Sequence, residues 1–194
     1  MAAGSQSLKM SQGQPLVVVV TGSECTGKTT LAISLAARFD APWSREYARE
    51  YVALKQAPLD ERDVEPIARG QLSGEQAAEN EAALKGRPMV VRDTDLLSTT
   101  VYSRHYYGTC PDWIASAACQ RAGNLYLLLC PDVPWVADGL HRDRRDEAAR
   151  AGIHTLFREA LGGLGATVVE IRGTWGERLA QATAAVTASL NDPR

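Results

Sequence analysis

Short apolar runs alternate along the chain with segments whose apolar residues recur at helical spacing. Residues 16–20, 88–91, 125–129 and 167–171 are brief, mostly aliphatic runs, the signature of strands buried on both faces, and a shorter run follows Pro42 at 43–46. Between them, spacings of three and four residues predict helices over about 27–39, 48–54, 60–85, 96–107, 113–121, 147–161 and 177–190. The first has Leu31, Leu35, Ala36 and Phe39 on one face, and Asp40-Ala41-Pro42 closes it because proline cannot continue the ladder. Gly70 and Gly74 interrupt the stripe of the long segment 60–85, predicting two pieces or one imperfect helix before Gly86 stops it. Such alternation predicts one three-layer α/β domain over residues 15–194 with a five-stranded, mostly parallel sheet. Residues 1–14, rich in Gly, Ser and Gln, read as a mobile tail.

The first strand runs directly into Gly22-Ser23-Glu24-Cys25-Thr26-Gly27-Lys28-Thr29, which fits G-x-x-x-x-G-K-[ST] and makes the domain a P-loop NTPase fold. Glycines at 22 and 27 let the backbone turn tightly. Successive N–H groups through Glu24, Cys25 and Thr26 can then converge on phosphate oxygens at the start of the helix that continues through Thr30. Lys28 is expected to reach the β and γ phosphates of ATP, and the Thr29 hydroxyl to be a ligand of Mg²⁺.

Three further segments stand where α/β folds place ligand residues, at the carboxyl ends of strands. Arg45-Glu46-Tyr47-Ala48-Arg49-Glu50 is too charged for an ordinary strand end. Asp93 and Asp95 follow the apolar run 88–91, and period two would put them on one face if the strand continued that far. Either could hold Mg²⁺ or orient an attacking hydroxyl, and the competing reading is a helix cap before Leu96. Arg142, Arg144 and Arg145 sit in an abruptly charged stretch, about 138–147, in the place of a closing lid; a solvated charge run is the alternative. Tyr107 and Trp113, beside Gly108 and Pro111, either line a pocket for a flat ring or plug a loop. Trp175, after the last strand, either flanks an adenine base or anchors the final helix.

The formal charge is −2, with Lys and Arg spread through the chain, which gives a nucleic-acid partner little electrostatic support. Apolar runs fall far short of a membrane span and residues 1–14 lack the apolar core of a secretory signal, so the expectation is a cytoplasmic protein. Cys25, Cys110, Cys119 and Cys130 form no C-x-x-C pair and show no metal-ligand spacing with the histidines. An Asn-Lys-x-Asp segment, expected of a guanine-nucleotide switch, is absent, and a motor ATPase would ordinarily need more chain. A small-molecule kinase needs only the loop, a carboxylate near the acceptor hydroxyl, an acceptor pocket and a lid. The runner-up from another class is a nucleotide-binding regulatory ATPase.

Several motifs together resemble the nicotinamide riboside kinase domain of the bacterial NadR proteins. They are the phosphate loop with Glu24, residues 45–50, Asp93-Thr94-Asp95 followed by Thr99-Thr100 and Tyr102, Tyr107-Gly108, Pro131-Asp132-x-Pro134-Trp135-x-x-Asp138-Gly139, and Gly173-x-Trp175-x-x-Arg178. The resemblance, over about residues 15–185, implies a fold similar to nucleoside and adenylate kinases and ATP-dependent transfer to the 5′-hydroxyl of nicotinamide riboside. It leaves another nucleoside or small alcohol open as acceptor, and oligomeric state undetermined. It implies Asp93 at the reacting hydroxyl, Asp95 on the ribose or the magnesium shell, and Glu46, Tyr47, Arg49 and Asp138 on the acceptor side. Tyr107, Trp113 and Trp135 become candidates to pack against the cationic ring. Two departures are Cys25, where similar sequences have a small hydroxyl residue, and His141, which displaces an arginine from beside Asp138-Gly139.

Overall fold

A computed structural model of the chain describes residues 14–134 and 147–192. Strand β1 (Leu16–Gly22) lies at the centre of a parallel five-stranded sheet ordered β2-β3-β1-β4-β5, with β2 (Trp43–Ser44), β3 (Met89–Asp93), β4 (Leu125–Leu129) and β5 (Thr167–Ile171) around it. Because side chains alternate along a strand, a parallel sheet covered on both faces needs apolar residues at every position. Val18, Val20, Leu125, Leu127 and Leu129 accordingly pack on one side with Leu31 and Leu35 of α1 (Lys28–Phe39) and Ala182 and Val186 of α7 (Trp175–Asn191). Val19, Tyr126 and Leu128 face the other way, against Leu97 and Val101 of α4 (Leu96–Tyr107) and Ile153, Phe157 and Leu161 of α6 (Glu147–Gly162). Helices α2 (Tyr47–Lys55), α3 (Val64–Leu84) and α5 (Asp112–Gln120) complete the β2 side; Val64 and Ala68 meet Leu96 and Ile114 there.

The order puts the phosphate-loop strand between the two directions in which the sheet grows, the place where open α/β sheets bind ligands. At its end Gly22 pairs with Leu129, and a Cβ there would stand 2.8 Å from the Leu129 carbonyl oxygen. Only glycine lets the two strand ends run this close while holding φ at 135°.

Two local expectations change, and two others gain detail. Residues 64–84 form one continuous helix, because Gly70 is used in packing: a Cβ there would lie 2.0 Å from Cε1 of Tyr47, so the gap in the side-chain row seats that ring. The second strand is two residues long, and α2 starts at Tyr47. α1 ends at Phe39 as expected, and Asp40 caps it in the left-handed conformation with its N–H bonded to the Ala36 carbonyl. Trp175 and Gly176 belong to α7, whose first turn is closed by a capping box between Thr174 and Glu177.

Candidate active site

Between β1 and α1 the chain adopts φ 54° at Cys25 and φ 88° at Gly27, the helix N-cap. Thr26 Oγ1 and Lys28 Nζ both donate to the Ser23 carbonyl, at 2.9 and 2.8 Å, drawing the loop around the lysine. Arg178, buried on α7, holds the loop from beneath: it donates to the carbonyls of Thr26 (3.0 Å), Cys130 (2.9 Å) and Gly173 (2.8 Å) and pairs with Asp132. One guanidinium thus ties the phosphate loop to the ends of β4 and β5. Spacing gives no sign of the bonds to Thr26 and Cys130, which are far from Arg178 in the chain.

Thr29 opens onto β3, where its hydroxyl donates to Asp93 Oδ2 at 2.6 Å. Asp93 is buried, and its Oδ1 has no hydrogen-bond partner among the described residues. Burial pushes this carboxyl up to about 6, and the charge of Glu46 adds to the shift; the Thr29 hydroxyl, Lys28 and Arg49 oppose it. The Thr29 hydroxyl and Asp93 Oδ2 beside it are hard oxygen donors that fit Mg²⁺, and Oδ1 stays over for a second partner. A second cluster, Cys130, His154 and Glu170, brings ligand atoms within 4.8 Å of one another, which the chain spacing did not foreshadow. Arg158 and Arg172 hold the two oxygens of Glu170, so positive charge already stands where a cation would sit.

Asp95 does not share the Asp93 face. Thr94 takes φ 65°, ending the strand, and Asp95 caps α4 by accepting the Leu97 N–H at 3.1 Å. Its other oxygen accepts the Tyr126 hydroxyl at 2.7 Å, and burial raises its carboxyl above the ordinary range. The helix-cap reading therefore describes Asp95, in place of the expected contact with ribose or magnesium shell.

Beyond Thr94 lies a cavity of about 520 Å³ whose wall includes Glu46, Arg49, Thr94, Tyr102, Tyr106 and Tyr107. Glu46 and Arg49 pair at 2.7 Å, so the charges acting on Asp93 also line this space. Tyr102 and Tyr106, four residues apart on α4, stack with ring centroids 5.9 Å apart, and the Tyr106 hydroxyl donates to Glu24 at 3.2 Å. That bond joins the cavity to the phosphate loop. The sequence singles out Tyr102 as part of the resemblance motif and does not single out Tyr106, whose i,i+4 spacing from Tyr102 is the available signal. Tyr47 is not among the lining residues, its ring being seated over Gly70. Trp113 is also elsewhere: its Nε1 donates to Glu65 at 2.9 Å and Arg69 lies 4.8 Å over its ring. Trp175 is 42 % exposed at the first position of α7. Trp135, Asp138, His141, Arg142, Arg144 and Arg145, and the lid they were expected to form, lie outside the described residues.

Residues 17–178 match the family described as AAA domain. The trifunctional NAD biosynthesis/regulator protein NadR of Salmonella typhimurium is 30% identical over 149 residues, 74% of this chain and 35% of that protein. The chain thus spans about a third of the length of this curated relative. A crystal structure of NadR protein in complex with NR superposes with a TM-score of 0.76 at 26% identity, covering 94% of this chain and 52% of that one. One in complex with NAD and AMP-PNP gives 0.75 at 28% identity, with the same coverage. Among the described residues, no helix is long and apolar enough to cross a membrane.

Proposed function

The chain belongs to the AAA domain family, and from that premise we propose that it transfers the γ-phosphoryl group of ATP to the 5′-hydroxyl of nicotinamide riboside, yielding nicotinamide mononucleotide and ADP. The observation that supports this most is the meeting of Thr29 and Asp93 at 2.6 Å, beside Glu46 and Arg49 of the cavity wall. A phosphate loop and a nucleoside-sized hollow are thereby joined at one carboxylate. Likeness to NadR, one of whose structures holds NR, supplies the choice of acceptor.

In this reading the loop N–H groups and Lys28 hold the phosphates, and Arg142, Arg144 and Arg145 are the cations assigned to the transferred group. Thr29 and Asp93 would hold Mg²⁺, which when bound neutralises charge on the phosphates. Asp93 Oδ2 is engaged by Thr29, so Oδ1 is the oxygen assigned to the acceptor hydroxyl, aligning it and taking its hydrogen bond. Without metal the carboxyl is held at about 6 and is ionised at neutral pH, so it can accept the hydrogen bond of the acceptor hydroxyl. Most of the acceleration comes from alignment and fixed charge. Tyr102, Tyr106 and Tyr107, with the carboxylates of Glu46, Asp60 and Asp63, make the cavity a suitable seat for a cationic aromatic ring. Dependence on ATP makes the cytoplasm the setting of this reaction.

The test is a panel of nucleosides incubated with the protein, saturating ATP and Mg²⁺, with mass-spectrometric detection of products. The expected result is ADP together with riboside that has gained one phosphoryl group. Folded protein that produces no phosphorylated riboside would sink the proposal. Phosphorylation of a different nucleoside would move the acceptor, and ATP hydrolysis with no acceptor consumed would favour the regulatory ATPase.

A further inference from the structure

The β2–β3 ladder stops at Ser44 and Arg92, just short of Glu46, which lines the cavity, and of Asp93, which precedes the cavity-lining Thr94. Gln71, in the middle of α3 and 3 % exposed, spans the two segments beyond it. Its Oε1 accepts the Tyr47 N–H at 3.0 Å, and its Nε2 donates to the Thr94 carbonyl at 3.3 Å and to Glu75 Oε1 at 3.4 Å. The partners fix the amide orientation, because a backbone N–H can only donate and a carbonyl can only accept.

Both main-chain bonds supply what the local sequence does not. Tyr47 begins α2, and Glu46, its N-cap, makes no side-chain cap bond; its carboxylate pairs with Arg49 instead. An N–H at a helix start needs an outside acceptor, and Gln71 provides one from another helix. Glu46 is thereby left to the cavity. Thr94 is a β-branched residue at φ 65°, a conformation that persists only where its surroundings fix it. Its N–H is held by the Val20 carbonyl at 3.0 Å and its own carbonyl by Gln71, so the residue that follows Asp93 is held through both of its flanking peptides.

We propose that Gln71 is a positioning residue that sets the spacing between the acceptor wall, Glu46 and Arg49, and the phosphoryl-transfer carboxylate, Asp93. The inference rests on the riboside kinase reading. Only an amide serves all three partners, since it offers an acceptor on one side and donors on the other. Glutamate has nearly the same shape, but it would turn an oxygen toward the Thr94 carbonyl and the buried Glu75 carboxylate; Gln71→Glu therefore opens the clasp at Thr94. Gln71→Met fills the same volume and makes neither bond.

The experiment is steady-state kinetics of the full chain and both variants, varying ATP and nicotinamide riboside independently, with ATP-analogue affinity measured as a check on folding. A displacement of about 1 Å at a reacting pair costs on the order of 100-fold. The expected result is a loss of roughly 10- to 100-fold in kcat/KM for the riboside, while KM for ATP and analogue affinity stay within about twofold. A rise in KM for ATP or a loss of analogue affinity as large as the loss toward the riboside would make Gln71 merely structural and overturn the proposal. Unchanged riboside kinetics in both variants would do the same. A wild type inert toward the riboside removes the kinase reading and this inference together; an active wild type with unaltered variants removes only this one.

Discussion

Replacing Asp93 with asparagine should remove activity and at the same time stabilise the protein above neutral pH. The carboxyl ordinarily titrates at 3.8 and is pushed up to about 6 in the fold, chiefly by burial. Below the lower value both folded and unfolded chains are protonated, and no charge penalty exists. As pH rises between the two values the unfolded chain gives up its proton first, so stability falls; above about 6 the whole penalty stands. About two pKa units at about 1.4 kcal/mol each amount to roughly 3 kcal/mol. The Asp93→Asn variant carries no charge, and its amide oxygen can still accept the Thr29 hydroxyl. It should therefore gain about 3 kcal/mol at pH 8, equivalent to about 6–12 °C in Tm, and only about 0.5 kcal/mol at pH 4. Urea unfolding of both proteins in EDTA at pH 4, 6 and 8 measures this. Glu75, pushed up to about 7 by burial, titrates in both proteins and cancels in the difference. Turnover should fall by about 10²- to 10⁴-fold with ATP binding retained. A variant less stable than wild type at pH 8, or a gain independent of pH, would refute the account of Asp93 as a charge held against its solvation.

Gly70→Ala drives a Cβ to 2.0 Å from the Tyr47 ring and should cost about 1–3 kcal/mol by urea unfolding, with a raised KM for the acceptor as α2 shifts. Tyr126→Phe takes the hydroxyl from the buried Asp95 carboxylate; a loss of about 1–3 kcal/mol is expected in chemical denaturation at pH 7, and no loss would mean the cap does not depend on that bond. Arg178→Lys keeps the charge but cannot reach three carbonyls at once, so calorimetry should find a lower Tm together with weaker ATP binding.

What the sequence made legible was local. The phosphate loop announces itself because strand, glycines, lysine and hydroxyl are contiguous, and the strands at 125–129 and 167–171 are bounded by the same residues in the fold. Asp95 was harder to place, because a β-branched threonine gives no warning that the chain will enter the left-handed region. Gly70 was legible as an interruption but not as a seat, since the ring it accommodates belongs to a different helix. Trp113 has the composition of a pocket residue, yet its partners Glu65 and Arg69 come from α3 and hold it away from the cavity. Gln71 reads as an ordinary polar helix residue and Arg178 only as the end of the Gly173-x-Trp175-x-x-Arg178 motif, and what each does arises from backbone groups brought to it by the sheet.

Arg178 has a consequence for the order in which the protein is made. The phosphate loop lies near the start of the described chain, but the side chain that fastens Thr26 is 152 residues further on. At about 5–20 residues per second, translation supplies it roughly 8–30 s later. Over that interval Lys28 and Thr29 belong to a nascent segment whose floor does not exist. The fully fastened phosphate loop is thus a property of a chain synthesised past α7, whereas its local bonds to the Ser23 carbonyl are available from the start.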